Sequence, residues 1–217
     1  MDKRTAERLR VDRIHVAPRA LELSSSMAQR RFKYIWTPLH VAVAKLQPLP
    51  TGLVRFWLQQ PGGHVVITHL SSRYEPGEQL LKRHSLHNVA YVGLSDLAQD
   101  SLEVLVPMGH LLDHLLGNSG ALDGQWLSEG GGVDSGLRQL GARVVELFPL
   151  GHGFDEAACS DVRSYFARSF ALYMHDRRAL NIADPLMERL LRTQLLAGAF
   201  WKRRGEQAAG SHQARAR

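Results

Sequence analysis

His110-Leu-Leu-Asp-His114 is the stretch of this chain whose residue types and spacing best fit chemistry. Two imidazoles four residues apart stand one turn apart on a helix, where neutral rings can share one metal ion. Asp113 sits between them as a candidate base for a metal-bound water. The form His-x-x-Asp-His is similar to the inverted His-x-x-Glu-His zinc motif, with the shorter Asp in place of Glu. A third ligand would have to come from another segment, and Asp161 and Glu156 are the candidates. The same residues also suit plainer roles: histidines on a half-buried helix face pack and hydrogen-bond, and acids in a first turn suit a helix N-terminus.

The element that must position them is the stretch from Asp100 to Gly117. Leu105, Met108, Leu111, Leu112, Leu115 and Leu116 recur at helical spacing on one side, with Glu103, Val106, Pro107, His110, Asp113 and His114 on the other. Asp100-x-x-Glu103 reads as a capping box and Gly117 as a stop, which predicts a helix over 101–116. A second helix is expected over Phe154 to His175, with Val162, Phe166, Ser169, Phe170 and Tyr173 on one face. Cys159 with His152 offers a nucleophile and base by residue type, but no oriented base or oxyanion motif accompanies them.

Met108-Gly-His-Leu-Leu-Asp-His-Leu-Leu resembles the second half of the active-site helix of zinc metallopeptidases of the anthrax lethal factor type, in which His-Glu-x-x-His is followed by x-x-Asp. Asp161-Val-Arg-Ser-Tyr-Phe-Ala-Arg-Ser-Phe-Ala resembles that family's second active-site helix, where Glu-aromatic-Phe-Ala-Glu supplies the third zinc ligand from its first Glu. Laid on this chain, the first His is Val106, the catalytic Glu is Pro107, the second His is His110 and the third ligand is Ser164. Val106 and Pro107 have no side-chain lone pair, so they supply neither a metal bond nor a general base. The resemblance implies an α+β, zincin-like fold: a small mixed sheet followed by two active-site-type helices and a C-terminal helix. It also implies a cleft for a peptide or protein. Two states of the site follow: zinc relocated onto His110 and His114, or no zinc and a noncatalytic cleft.

The rest of the chain is ordinary for a globular protein, with 44% apolar and 22% charged residues in 217. No run approaches a membrane span and the first residues lack an apolar stretch, so a cytoplasmic protein with no membrane partner is expected. The single cysteine excludes an intrachain disulfide. The net charge of +6 is concentrated at the ends: residues 1–35 hold nine Lys/Arg against four acids. These ends can touch nucleic acid nonspecifically, but no zinc finger or RNA-binding motif accompanies them. The organisation read from this is a basic segment over 1–35, a zincin-like domain over 36–204 and a disordered basic tail over 205–217.

Within the domain, helix is expected over Leu39 to Lys45, and strands over Val11–Val16, Leu53–Leu58, His64–Leu70, Val89–Leu94 and Arg143–Pro149. A Gly/Ser-rich loop without regular structure is expected from Asn118 to Gly136. Asp184-Pro185 is read as the start of the closing helix.

Overall fold

In this computed structural model, residues 1–151 and 156–215 are described, the side chains of Cys159 and of 207–215 aside. Helices α1 (Lys3–Arg13), α2 (Ser26–Arg31), α3 (Trp36–Leu46) and α4 (Thr51–Gln59) lie around the short strand β1 (Ile14–Val16) and before the rest of the sheet. Strands β2 (His64–Thr68), β3 (Arg73–Leu81) and β4 (His84–Gly93) follow, then α5 (Leu94–Gln99) and a 3-10 turn, Leu102–Val104. The second half holds α6 (Val106–Asn118), α7 (Ser135–Leu147), α8 (Glu156–Cys159), α9 (Val162–Ala183), α10 (Pro185–Leu190), a π turn (Leu191–Leu195) and α11 (Gly198–Arg215). The fold is α+β, with one four-stranded mixed sheet in the order β1-β2-β4-β3. β1, β2 and β4 run parallel, and β3 pairs antiparallel with β4 at the edge. No helix among the described residues is long and apolar enough to cross a membrane.

One face of the sheet, through Ile14, Val65, Ile67, Ala90 and Val92, joins a core that continues into α4, α6, α7 and α9. Leu9, Ala28 and Phe32 of the basic first segment are buried in the same core. The stretch expected as a strand at Leu53–Leu58 is helix α4, because Leu53, Val54 and Trp57 are buried together at helical spacing. The expected strand Arg143–Pro149 is likewise the end of α7 and the 3-10 turn Phe148–Leu150 after it; the buried Leu137, Leu140, Val144 and Leu147 of α7 follow a helical period from an Asp134 cap. Residues Val11 to Arg13 end α1, and only Ile14–Val16 form the strand expected there.

β3 was not anticipated, and Pro76-Gly77 in its middle explains why: proline and glycine read as a turn. The chain accommodates them as a register shift between Glu75 and Glu78, with Gly77 at a φ of +79° and its N–H donating to Asn88 Oδ1 at 2.9 Å.

Candidate functional site

α6 begins at Val106, five residues later than the sequence signals placed it. Asp100 closes α5 in a left-handed conformation, and the Ser101 hydroxyl caps the 3-10 turn instead. Pro107 therefore falls in the first helical turn, where its missing N–H has no partner to lose. The helix ends at Asn118 with Ser119 left-handed, so Gly117 is inside it. Glycine is needed there because a Cβ would strike the backbone of Trp126 and Leu127. Gly109 serves the opposite side: a Cβ would lie 2.7 Å from the Ala167 Cα, so this glycine lets α6 and α9 cross backbone to backbone.

Met108, Leu111, Leu112, Leu115 and Leu116 are buried, each contributing on the order of 2 kcal/mol. The expected polar face is buried as well. Asp113 is fully enclosed, accepting from the Ser128 N–H and from the Ser128 hydroxyl, both at 2.7 Å. Burial pushes its pKa up to about 7 against those two bonds. His114 is 1% exposed and has both nitrogens engaged. Nε2–H donates to the Ala121 carbonyl at 2.9 Å, so in the neutral ring Nδ1 accepts from the Tyr74 hydroxyl at 2.7 Å. Burial lowers its pKa and favours that neutral form. The ring also stacks on Trp126, with centroids 4.5 Å apart and planes at 11°.

These contacts fold the Gly/Ser-rich stretch onto α6. Trp126, Leu127 and Ser128 are buried, and Leu127–Glu129 form a 3-10 turn, so the expected structureless loop is packed in its middle. Glu129 then accepts from the Trp126 N–H at 3.0 Å and pairs with Arg163 at 2.7 Å, whose guanidinium lies 4.2 Å over the Trp126 ring.

His110 faces elsewhere. It lines a cavity of about 480 Å³ with Val106, Pro107 and Glu103 from α6 and the turn before it, Ser72, Arg73, Tyr74 and Pro76 at the sheet edge, Trp126, and Asp161, Arg163 and Ser164 at the start of α9. Its ring has no hydrogen-bond partner among the described residues, and it meets Tyr74 and Trp126 at 6.2 Å between centroids. Burial brings its pKa down to about 4 against the pull of Asp161, so the imidazole is neutral near pH 7. Asp161 caps α9, accepting from the Ser164 N–H at 2.9 Å and hydroxyl at 2.8 Å. Partial burial opposes its ionisation, but those bonds outweigh it and hold the carboxyl below its usual range.

The four positions that the resemblance sets at ligand and base places, Val106, Pro107, His110 and Ser164, thus share one cavity. Asp161 is there too, while His114 and the exposed Glu156 on α8 are not among the lining residues. Asp113 faces Ser128 rather than the cavity. A zinc site needs three or more donors at about 2.0–2.2 Å from one point. Here the cavity lining carries His110, Asp161 and Glu103, the last paired with Arg168 at 3.0 Å. Among the described residues, no three His, Cys, Asp or Glu side chains gather to hold a metal. Of the Cys159 and His152 pair, His152 lies outside the described residues.

Tyr74, Trp126, Arg163 and Ser128 escaped sequence reasoning. Tyr74 sits on the unanticipated β3, and Trp126 and Ser128 sit in the stretch read as loop. The one signal was Gln125-Trp-Leu-Ser-Glu129, a bulky apolar pair inside a glycine-rich segment. Comparison of the chain with protein-family models, curated proteins and solved structures finds no match.

Proposed function

We propose that this chain is a noncatalytic relative of the lethal factor-type metallopeptidases, keeping a zincin-like cleft for an extended peptide or protein segment without a hydrolytic zinc. The observation that supports it is the convergence of Val106, Pro107, His110 and Ser164 on one cavity beside an edge strand, with only His110 carrying an imidazole or carboxylate. Among the described residues β3 pairs with β4 on one side and with no strand on the other, so a peptide can add to it through main-chain hydrogen bonds. Pro76 has no N–H and the ladder shifts there, and the Ser72 N–H is held by Asp96, so the pairing stretch is Arg73 to Glu75, beside the cavity. The cationic side chains of the cavity, Arg73 and Arg163, are already paired with Glu75 and Glu129. Recognition therefore falls to peptide backbone and apolar side chains, with the neutral His110 ring free to bond one peptide group.

The test is selection of random-sequence displayed peptides on the full chain. Val106→Trp, at a partly exposed lining position, fills the cavity and should remove binding of the selected peptides. Retained binding in a folded Val106→Trp protein would place the peptides elsewhere and overturn the reading. The triple substitution Val106→His, Pro107→Glu, Ser164→Glu should meanwhile raise zinc content toward one per chain, since ligands and base would again converge.

A second reading is favoured by His110 and Asp161 sharing the cavity: zinc relocated to His110 and His114 with Asp161 or Glu156, and Asp113 as base. It requires His114 to exchange its bonds to Tyr74 and Ala121 for the metal. It predicts stoichiometric zinc in the purified protein that His114→Ala abolishes.

A further inference from the structure

Between Glu22 and Glu75 the chain has no acidic residue and six Lys/Arg. Four of these six are engaged: Arg31 donates to the Ala98 carbonyl at 2.8 Å, and Lys45, Arg55 and Arg73 pair with Asp100, Asp2 and Glu75. Arg30 and Lys33 remain, exposed and without an ion-pair partner among the described residues. The acids on and after α5, which packs on α2, are occupied: Asp96 accepts from Ser72, and Asp100 holds Lys45.

Next to this unpaired charge stand two large aromatic side chains, Tyr34 at 71% and Trp36 at 65% exposure. The other three tryptophans, Trp57, Trp126 and Trp201, are no more than 6% exposed. Leu23 and Met27, nearby in the chain, are 49% and 37% exposed. The backbone that presents these groups is pinned on both sides. Phe32, at 1% exposure, and Leu39, at 4%, anchor in the core, and the Thr37 N–H bonds the Tyr34 carbonyl at 3.0 Å. Tyr34 and Trp36 are thus held outward by a fixed scaffold.

We propose that this surface docks the protein peripherally on an anionic lipid bilayer, with Tyr34 and Trp36 at headgroup level and Arg30 and Lys33 against the lipid charge. Rings with an apolar body and a polar tip favour that interface, and unpaired cations add attraction that salt screens. The aliphatic Leu23 and Met27 fit acyl chains and give nothing to a nucleic acid. The contact is one of lying on a membrane, which needs no spanning helix.

The full chain is sedimented with vesicles of phosphatidylcholine alone and of phosphatidylcholine mixed with phosphatidylserine, while tryptophan emission is followed. Binding is expected only to the mixed vesicles, with a blue shift that reports Trp36, the one exposed tryptophan, and with loss of binding at high salt. Tyr34→Ala with Trp36→Ala removes the reporter, so it is read by sedimentation, where binding to the mixed vesicles should fall about tenfold or more and unchanged binding would overturn the proposal. Arg30→Glu with Lys33→Glu should weaken binding about tenfold or more. These positions are exposed, so unchanged thermal unfolding checks that each variant is folded. The proposal is overturned by no binding, or by equal binding to both vesicles. It is overturned too by a blue shift that follows protein concentration without lipid, which marks self-association. A single-stranded oligonucleotide that displaces the protein from vesicles with reversal of the Trp36 shift would assign the surface to nucleic acid instead.

Discussion

His110 and His114 stand one turn apart on α6 and both meet the Trp126 ring, yet one is fully built into the structure and the other is not. His114 stacks on the indole, donates to the Ala121 carbonyl and accepts from Tyr74. His110 touches the same indole edge-on, makes no hydrogen bond among the described residues and borders a cavity. The i,i+4 spacing that makes a metal-binding pair plausible on a bare helix is divided here, because Trp126 from the following loop stacks on His114 while His110 lines the cavity. Spacing within a helix sets where side chains leave the backbone, and the neighbouring segment decides whether they converge. The same contrast holds for the acids: Asp113 is consumed by Ser128, while Asp161 reaches the cavity as a helix cap.

The largest expected effect comes from breaking the built side. Asp113→Ala strands the Ser128 N–H and hydroxyl in a sealed interior, at a cost of about 3 kcal/mol. Thermal unfolding should fall by roughly 6–12 °C, and a fall within measurement error would show that the loop is not held by this bond. His114→Ala should cost about 2 kcal/mol through two hydrogen bonds and the lost stack. His110→Ala should cost less than about 0.5 kcal/mol, since it makes no hydrogen bond and borders open volume. Equal losses from the two histidines in urea unfolding would erase the distinction between the two sides.

This asymmetry also marks what the chain's letters could convey. The apolar stripe of α6, the strands His64–Thr68 and His84–Gly93 in part, and the Asp184-Pro185 start were legible, because each is a local pattern. Of the expected helix Phe154 to His175 the end was legible, since α9 breaks at Asp176, whose carboxylate caps the continuation at Ala179, but not the start, since α8 stops at Cys159 and Asp161 caps a separate α9. What was not legible depended on partners distant in sequence. Ser101 and Asp100 both resemble caps, and the choice between them is made by how α5 ends. Leu53, Val54 and Trp57 satisfy a helical period as well as Leu53 to Leu58 suggests a strand, and packing selects the helix. The polar face of α6 looked half-exposed because the segment that covers it, around Trp126, reads as a loop from its glycines. The candidate cavity needed β3, and Pro76-Gly77 hid β3.

The smallest effect, and the finest test of the comparison, is in the pH dependence of stability. Asp113 has its folded pKa raised from 3.8 to about 7, so its contribution is fully present below pH 3.8 and is lost as pH rises through about 7. His110 has its folded pKa lowered from 6.5 to about 4, so its contribution is present above pH 6.5 and is lost as pH falls toward 4. His64, beside Arg13 and hydrogen-bonded to His15 at 3.0 Å, is lowered to about 4 as well, chiefly by burial, and His15 and His114 shift the same way. Four histidines therefore oppose one aspartate across the same window, and the protein should lose stability on acidification from about pH 7 to pH 4. Asp113→Asn removes the opposing term: its oxygen still accepts from the Ser128 N–H and its amide can donate to the Ser128 oxygen, so the fold is kept while the acid loss becomes steeper. His110→Gln removes one histidine and makes the loss shallower. Urea unfolding across this range reads both slopes. An Asp113→Asn profile that runs parallel to the unsubstituted protein would mean that Asp113 is already ionised in the folded state throughout, and that its enclosure by Ser128 costs the carboxylate nothing.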